Sequence, residues 1–280
     1  MVLVMTPFSA TPNRLAVIAL PTSPTRPRAR ALLIGLSQVD AAIYQSDLRQ
    51  GCEGCLQDVE IMRDILTPLG YVITTLTDAV ATTAKVESTL ATMAGQTCAG
   101  DVFLFFYTGH GSQLEDQPPG DPLHDEMDGR DECYCLYDGK WRDDLLYHHW
   151  LKFPPGCLIY AFTDSCRSGT GMRNAGPALA HTQAALGNFI DHQDSFPCAL
   201  LHIAASRDTS DALGGEDGSR FTLALQRSWN RGGFQGNWDA FYHAIAAQMP
   251  TQPIQRNSYG PGGDLVLALA PFALPTPPIV

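Results

Sequence analysis

Positive charge is scarce in this chain: 18 lysines and arginines stand against 29 aspartates and glutamates, a formal net charge of -11 over 280 residues. Binding nucleic acid requires a basic surface to neutralise phosphates, and no basic cluster is present, so no nucleic-acid partner is expected and a cationic one is favoured. Charged residues of both signs make up only 17% and hydrophobic ones 45%, a balance too apolar for wholesale disorder. Long hydrophobic runs are missing as well. No segment is long and apolar enough to span a bilayer. Residues 1–10 are apolar but lack the basic region of a secretory signal, and Pro7 and Pro12 interrupt them. No membrane partner is expected.

A disulfide framework is also absent from the pattern. The eight cysteines lie in a long chain, several inside apolar runs such as 156–162, and read as reduced core or reactive thiols. A reducing, cytoplasmic compartment is the corresponding expectation. Cys52 with Cys55 and Cys133 with Cys135 could together supply four thiolates to zinc. Neither pair sits in a recognisable zinc knuckle and the second spacing is unusual, so ordinary thiols near loops are the simpler reading. Neither Ser165 nor Ser168 lies in a G-x-S-x-G elbow, which sets aside a serine hydrolase.

What is present is a regular alternation of apolar runs and helix-period segments. Strand-length runs fall at 31–36, 71–76, 102–107, 157–162, 200–205 and 265–269. Helical patterns fall between them at 55–69, 83–95, 143–152, 221–230 and 238–248. Alternation of this kind predicts an α/β fold: a three-layer αβα sandwich on a mostly parallel sheet of about six strands. Residues 21–30 are rich in proline and arginine and read as a linker. Residues 1–30 are therefore expected to be a tail and linker, with a possible added strand at 15–20, and residues 31–280 the folded domain. One feature breaks the alternation: residues 115–144 hold eleven acidic and three basic residues. A run this acidic is either solvated or holds a cation.

Two expected strands run into chemically loaded segments. The run at 102–107 leads to Thr108-Gly109-His110-Gly111-Ser112, and the run at 157–162 leads to Thr163-Asp164-Ser165-Cys166-Arg167-Ser168-Gly169. In parallel sheets ligands bind beyond the carboxyl ends of strands, so both segments are expected as turns on one rim. A free thiol is mostly protonated at neutral pH, and only the thiolate attacks well. His110 is suited to take that proton and to return one to a leaving amine. Glycines around both residues let backbone amides approach a developing oxyanion, with those of Gly111 and Cys166 as the candidates. A lone histidine or a lone cysteine would read as structural. The two together, each ending a strand beside glycine, read as a nucleophile with its proton-transfer partner.

Phe105-Phe106-Tyr107-Thr108-Gly109-His110-Gly111-Ser112-Gln113 and 163–169 resemble the paired histidine and cysteine motifs of metacaspases and bacterial caspase-like cysteine peptidases. The resemblance covers most of the chain: 31–36 is similar to the family's first strand and Gly54-Cys55-Leu56-Gln57-Asp58 to its first helix entry. It implies a caspase-hemoglobinase sheet, a cysteine-histidine dyad without a third member, and endopeptidase activity. It also implies a large-subunit-like part at about 31–175 and a small-subunit-like part at about 195–280. Arg167 stands where metacaspases usually carry histidine. A catalytically silent scaffold on the same fold is the alternative, and the intact His110 and Cys166 argue against it.

By the same resemblance, Asp58 and Asp164, with Cys55 and Thr108 beside them, match the pocket for the residue before the scissile bond. Two carboxylates in one slot would bind Arg bidentately or Lys by charge, and would repel Asp. The expected substrates are therefore peptides or proteins cleaved after Arg or Lys. Simpler roles for the two acids are a helix-end charge for Asp58 and a turn contact for Asp164. Metacaspases are commonly calcium-activated, and their ligands resemble Asp131, Asp143 and Asp144 here, oxygen donors that suit a hard cation. Arg173 stands where the family often has a further aspartate, and the acidic run lacks the EF-hand spacing. No organic cofactor is expected.

Overall fold

The computed structural model describes residues 28–44, 52, 54–115, 130–167, 196–207, 217–252 and 254–274, with the backbone alone at 130, 131, 166, 167, 206 and 207. The possible strand at 15–20 and Arg173 lie outside the described residues. Among the described residues, eight strands form one sheet. β1 (Ala29–Gly35), β2 (Val72–Thr77), β3 (Val102–Glu115), β6 (Leu158–Arg167) and β7 (Ala199–Arg207) are joined by parallel pairing in the order β2-β1-β3-β6-β7. β8 (Ile254–Tyr259) closes the far edge antiparallel to β7. β4 (Arg130–Leu136) and β5 (Gly139–Arg142) form a hairpin that pairs with the outer part of β3.

The central strands are apolar where both faces are covered. β1, ARALLIG, is buried at every position, as expected of a parallel strand with helices above and below. Alternation divides its side chains between two cores. Ala31 and Leu33 join Phe106, Tyr160 and Phe162 on one face, while Leu32 and Ile34 join Phe103, Phe105 and Ile159 on the other. The first face is covered by α1 (Cys55–Leu66), α4 (Arg220–Trp229) and α5 (Trp238–Ala246). The second is covered by α2 (Thr83–Gln96) and α3 (Asp143–Trp150). This is the expected three-layer sandwich.

Two expectations need correction. Residues 265–269 are not a strand. A short helix, α6 (Gly263–Val266), runs into that segment, and the last described strand is β8, which ends at Tyr259. The segments after positions 107 and 162 are not turns either: β3 continues to Glu115 and β6 to Arg167. β1 flanks β3 only as far as Thr108, and the β4 hairpin takes up the same flank from Gly111. A partner strand is thus available along nearly all of β3, and the extended backbone keeps its hydrogen bonds.

Candidate active site

β3 and β6 run parallel and in register, with Thr108 opposite Asp164 and His110 opposite Cys166. Adjacent strands lie about 4.8 Å apart, so the backbones at His110 and Cys166 are immediate neighbours at the carboxyl end of the sheet. Phe106, Thr108 and His110 share one face of β3, and Phe162, Asp164 and position 166 share one face of β6, by simple alternation. Phe106 and Phe162 fix that face as the one covered by α1. The histidine is partly exposed, and the thiol-bearing position is one residue from the end of β6. The side chain of Cys166 lies outside the described residues. Gly111 is buried and stands opposite Arg167 on one flank and Tyr134 on the other.

α1 brings the acid. The helix begins after Gly54, whose left-handed backbone (φ 86°) turns the chain into the first turn. Cys55, Asp58, Val59, Met62, Ile65 and Leu66 follow helical spacing and are all buried. A carboxylate on an apolar stripe is costly unless it is hydrogen-bonded. Asp58 is fully buried, accepting a hydrogen bond from the Thr108 hydroxyl at 2.8 Å and another from the Ser219 backbone N–H at 2.7 Å. Asp164, equally buried, is in register with Thr108. Asp58, Thr108 and Asp164 are thus gathered beside His110. Close packing of α1 on β1 makes this possible, because a Cβ on Gly35 would lie 2.5 Å from Val59 and 3.0 Å from the Cys55 carbonyl.

Ser219 is a contributor that the pattern does not flag as part of the site. Its hydroxyl caps α4, accepting from the Thr222 N–H at 3.0 Å, while its own N–H reaches Asp58. Gly218 approaches the same carboxylate so closely that a Cβ would lie 2.9 Å from its oxygen. The only available sequence signal was a serine ahead of an apolar helical run, which announces a cap and not a carboxylate ligand.

Cys55 is placed one turn before Asp58, but its sulfur is bonded to Cys52. The expectation of reduced thiols fails for this pair, and the physical reason is its spacing. The two Cα atoms lie 5.8 Å apart, within the range a disulfide bridges. The four-thiolate zinc reading falls with it. Cys98, Cys133, Cys135, Cys157 and Cys198 are outside any disulfide. Burial pushes the thiols of Cys133 upward, with Asp143 adding to the effect. The Cys157 thiol is raised by its hydrogen bond with Cys198 and by burial. Neither is a ready thiolate.

The acidic residues of the expected cation site lie elsewhere. Asp143 and Asp144 open α3, both buried, with the Asp144 N–H donating to Asp143 at 3.1 Å. The backbone of Asp131 is opposite Leu114 on β3, two residues before Cys133, which pairs with Arg142; the side chain of Asp131 lies outside the described residues. Among the described residues, no group of three or more His, Cys, Asp or Glu side chains could hold a metal ion, and no helix is long and apolar enough to cross a membrane.

The caspase-domain family, Peptidase_C14, matches residues 28–255. Metacaspase-1 of Lodderomyces elongisporus is 34% identical over 157 residues, which make up 51% of this chain and 33% of that protein. Metacaspase-4 of Arabidopsis thaliana is 29% identical over 150 residues, 50% of this chain and 33% of that one. The similarity thus spans about a third of the length of these relatives. Among solved structures, protein GSU0716 from Geobacter sulfurreducens superposes with a TM-score of 0.71 at 31% identity, covering 89% of this chain and 99% of that one. Caspase-1 from Spodoptera frugiperda shares the fold at 12% identity and a TM-score of 0.50, covering 84% and 87%.

Proposed function

This chain belongs to the caspase-domain family, and from that premise we propose that it is a cysteine endopeptidase with Cys166 as nucleophile and His110 as proton-transfer partner, cleaving after Arg or Lys. The observation that carries the proposal is the register of two adjacent parallel strands, which sets His110 opposite Cys166. In this mechanism the Cys166 thiolate attacks the scissile carbonyl, and the amides of Gly111 and Cys166, each flanked by partner strands, would exchange strand pairing for the oxyanion. His110, protonated when the thiolate forms, gives its proton to the departing amine. Water then attacks the acyl-enzyme with His110 as base, and the thiol is regenerated.

The specificity rests on Asp58 and Asp164. An ionised carboxylate has about four acceptor positions, and Thr108 and Ser219 occupy two of those on Asp58. Two carboxylates would meet a guanidinium in a buried setting, where charge pairing is least screened. Because Gly218 and Ser219 lie on Asp58, entry of an Arg side chain involves displacing them. An Asp side chain would add a third carboxylate to the slot and is rejected.

The test is hydrolysis of fluorogenic peptides that differ only at the cleaved residue, by the wild-type protein and by Cys166→Ala and His110→Ala. Turnover after Arg and Lys, none after Asp, and none in either variant is the expected result. Equal cleavage after Asp would remove the pocket assignment, and full activity in either variant would remove the dyad.

Calcium activation is a separable proposal. Asp143, Asp144 and Asp131 would supply the carboxylate oxygens, a donor chemistry that suits a hard cation and not a soft one. Bound there, calcium would neutralise charge at the start of α3 and along β4. Calorimetry with calcium on the wild type and on the Asp143→Ala/Asp144→Ala variant, beside turnover in chelator, tests it. No heat and full turnover without calcium would leave the acidic run as a solvated loop.

A further inference from the structure

Resting on the reading of His110 as the proton-transfer group, we infer that Tyr107 is its positioning residue, acting through the backbone carbonyl of His110. On the flank of β3 away from β6, pairing with β1 ends at Thr108 and pairing with β4 starts at Gly111. Gly109 and His110 fall in the gap between the two partner strands. The Tyr107 hydroxyl fills that gap: it lies 2.7 Å from the His110 carbonyl oxygen and 3.0 Å from that of Cys135 on β4. One hydroxyl hydrogen is shared between two carbonyls, so the contact ties the backbone at the histidine to the neighbouring hairpin.

Three observations converge on this role. Tyr107 is fully buried, so its hydroxyl needs partners, and it finds one of them at the histidine. Its ring is held by Tyr134, with centroids 4.8 Å apart, so the hydroxyl has little freedom to leave. Gly109 is the residue that lets the tyrosine lie back along its own strand. A Cβ there would stand 2.6 Å from the hydroxyl oxygen and 2.9 Å from the ring carbon that bears it. The glycine before the histidine therefore serves the tyrosine, beyond any approach of substrate to the backbone.

Tyr107 packs with the core on the opposite face of the sheet from Phe106, the face that His110 shares by alternation. It cannot touch a substrate bound at His110 and acts by fixing where the histidine's backbone stands. A displacement of about 1 Å in a catalytic group costs on the order of a hundredfold in rate, so the contact has leverage on the chemical step and little on substrate affinity.

The experiment compares Tyr107→Phe, which keeps the ring and removes the hydroxyl, with Gly109→Ala, which pushes the hydroxyl away. Rates on an Arg peptide are expressed per titrated active site. The expected result for Tyr107→Phe is a kcat lower by roughly 10- to 100-fold with KM within about twofold. Gly109→Ala should show the same split, and the double variant should lose no more than the worse single one, because both act through one contact. An unchanged kcat per site in folded Tyr107→Phe overturns the inference. If that variant does not fold, an unchanged kcat in Gly109→Ala overturns it. Loss of peptidase activity in Cys166→Ala and His110→Ala separates the two levels. With both controls inactive, a Tyr107→Phe variant of unchanged kcat defeats only the positioning role, whereas activity in Cys166→Ala or His110→Ala would defeat the dyad reading and this inference with it.

Discussion

At the scale of single residues, the site is defined by polar groups placed where packing alone would favour apolar ones. Asp58 occupies a stripe position of α1 between Cys55 and Met62, and its two oxygens are met from β3 and from the start of α4. Replacing it with asparagine keeps the shape and an acceptor while removing the charge. Asp58→Asn is expected to fold and to lose about a hundredfold or more in kcat/KM on Arg peptides, because one charge-assisted hydrogen bond contributes on the order of 1.5–3 kcal/mol and two are at stake. Steady-state kinetics with Arg and with uncharged residues at the cleaved position checks this. A variant as active as the wild type on Arg would mean that Asp58 serves only to join α1 to its neighbours.

At the scale of elements, the N-terminus of α4 is held by one serine used twice. Ser219→Ala removes the cap on Thr222 and keeps the backbone contact with Asp58, so it is expected to cost about 1 kcal/mol in denaturant unfolding with specificity unchanged. The entry to α1 is closed by the Cys52 and Cys55 disulfide. Mass spectrometry after alkylation is expected to find both cysteines unlabelled until a reductant is added, and labelling without reductant would return them to the reduced state that the composition suggests.

The same scale explains what the sequence discloses and what it withholds. The central strands and the helices over them are legible because burial on both faces leaves continuous apolar runs such as 102–107, and amphipathic helices leave a 3.6-residue period. β8 is not legible: IQRNSY lies at the sheet edge, with only its two ends buried. The apolar run at 265–269, which imitates a strand, contributes Val266 to the core from a short helix. The β4 hairpin is hidden by its charge, and its two-residue turn is Tyr137-Asp138, with Gly139 already paired to Leu136. In the site, positions ending strands are readable. The contacts made by Ser219 and Tyr107 depend on where other elements stop, and no local pattern encodes that.

At the scale of the whole molecule, the sheet carries a titratable group through its interior. His202 on β7 is buried, with its ring nitrogen 2.9 Å from the Thr163 hydroxyl, and burial lowers its pKa from 6.5 to about 4. Above pH 6.5 the imidazole is neutral in folded and unfolded chains alike, and the stability is fully present. As pH falls from 6.5 towards 4, the unfolded chain takes up a proton that the folded one refuses, so stability declines through that window by up to about 3 kcal/mol. Thermal melting of the wild type against His202→Gln between pH 7 and 4 is expected to show a steeper fall for the wild type. Parallel profiles would place the acid sensitivity elsewhere.

On the proposed function, the fold serves to hold two adjacent parallel strands in register, with a histidine opposite a cysteine and two buried carboxylates close by. The most direct measurement of that claim is covalent capture by paired peptidyl chloromethyl ketones, one carrying Arg and one carrying Asp at the reactive position, followed by peptide mapping. The account predicts a single adduct, on Cys166, formed by the Arg reagent and not by the Asp reagent, and strongly slowed in His110→Ala. An adduct on another residue, or equal capture by both reagents, would contradict it.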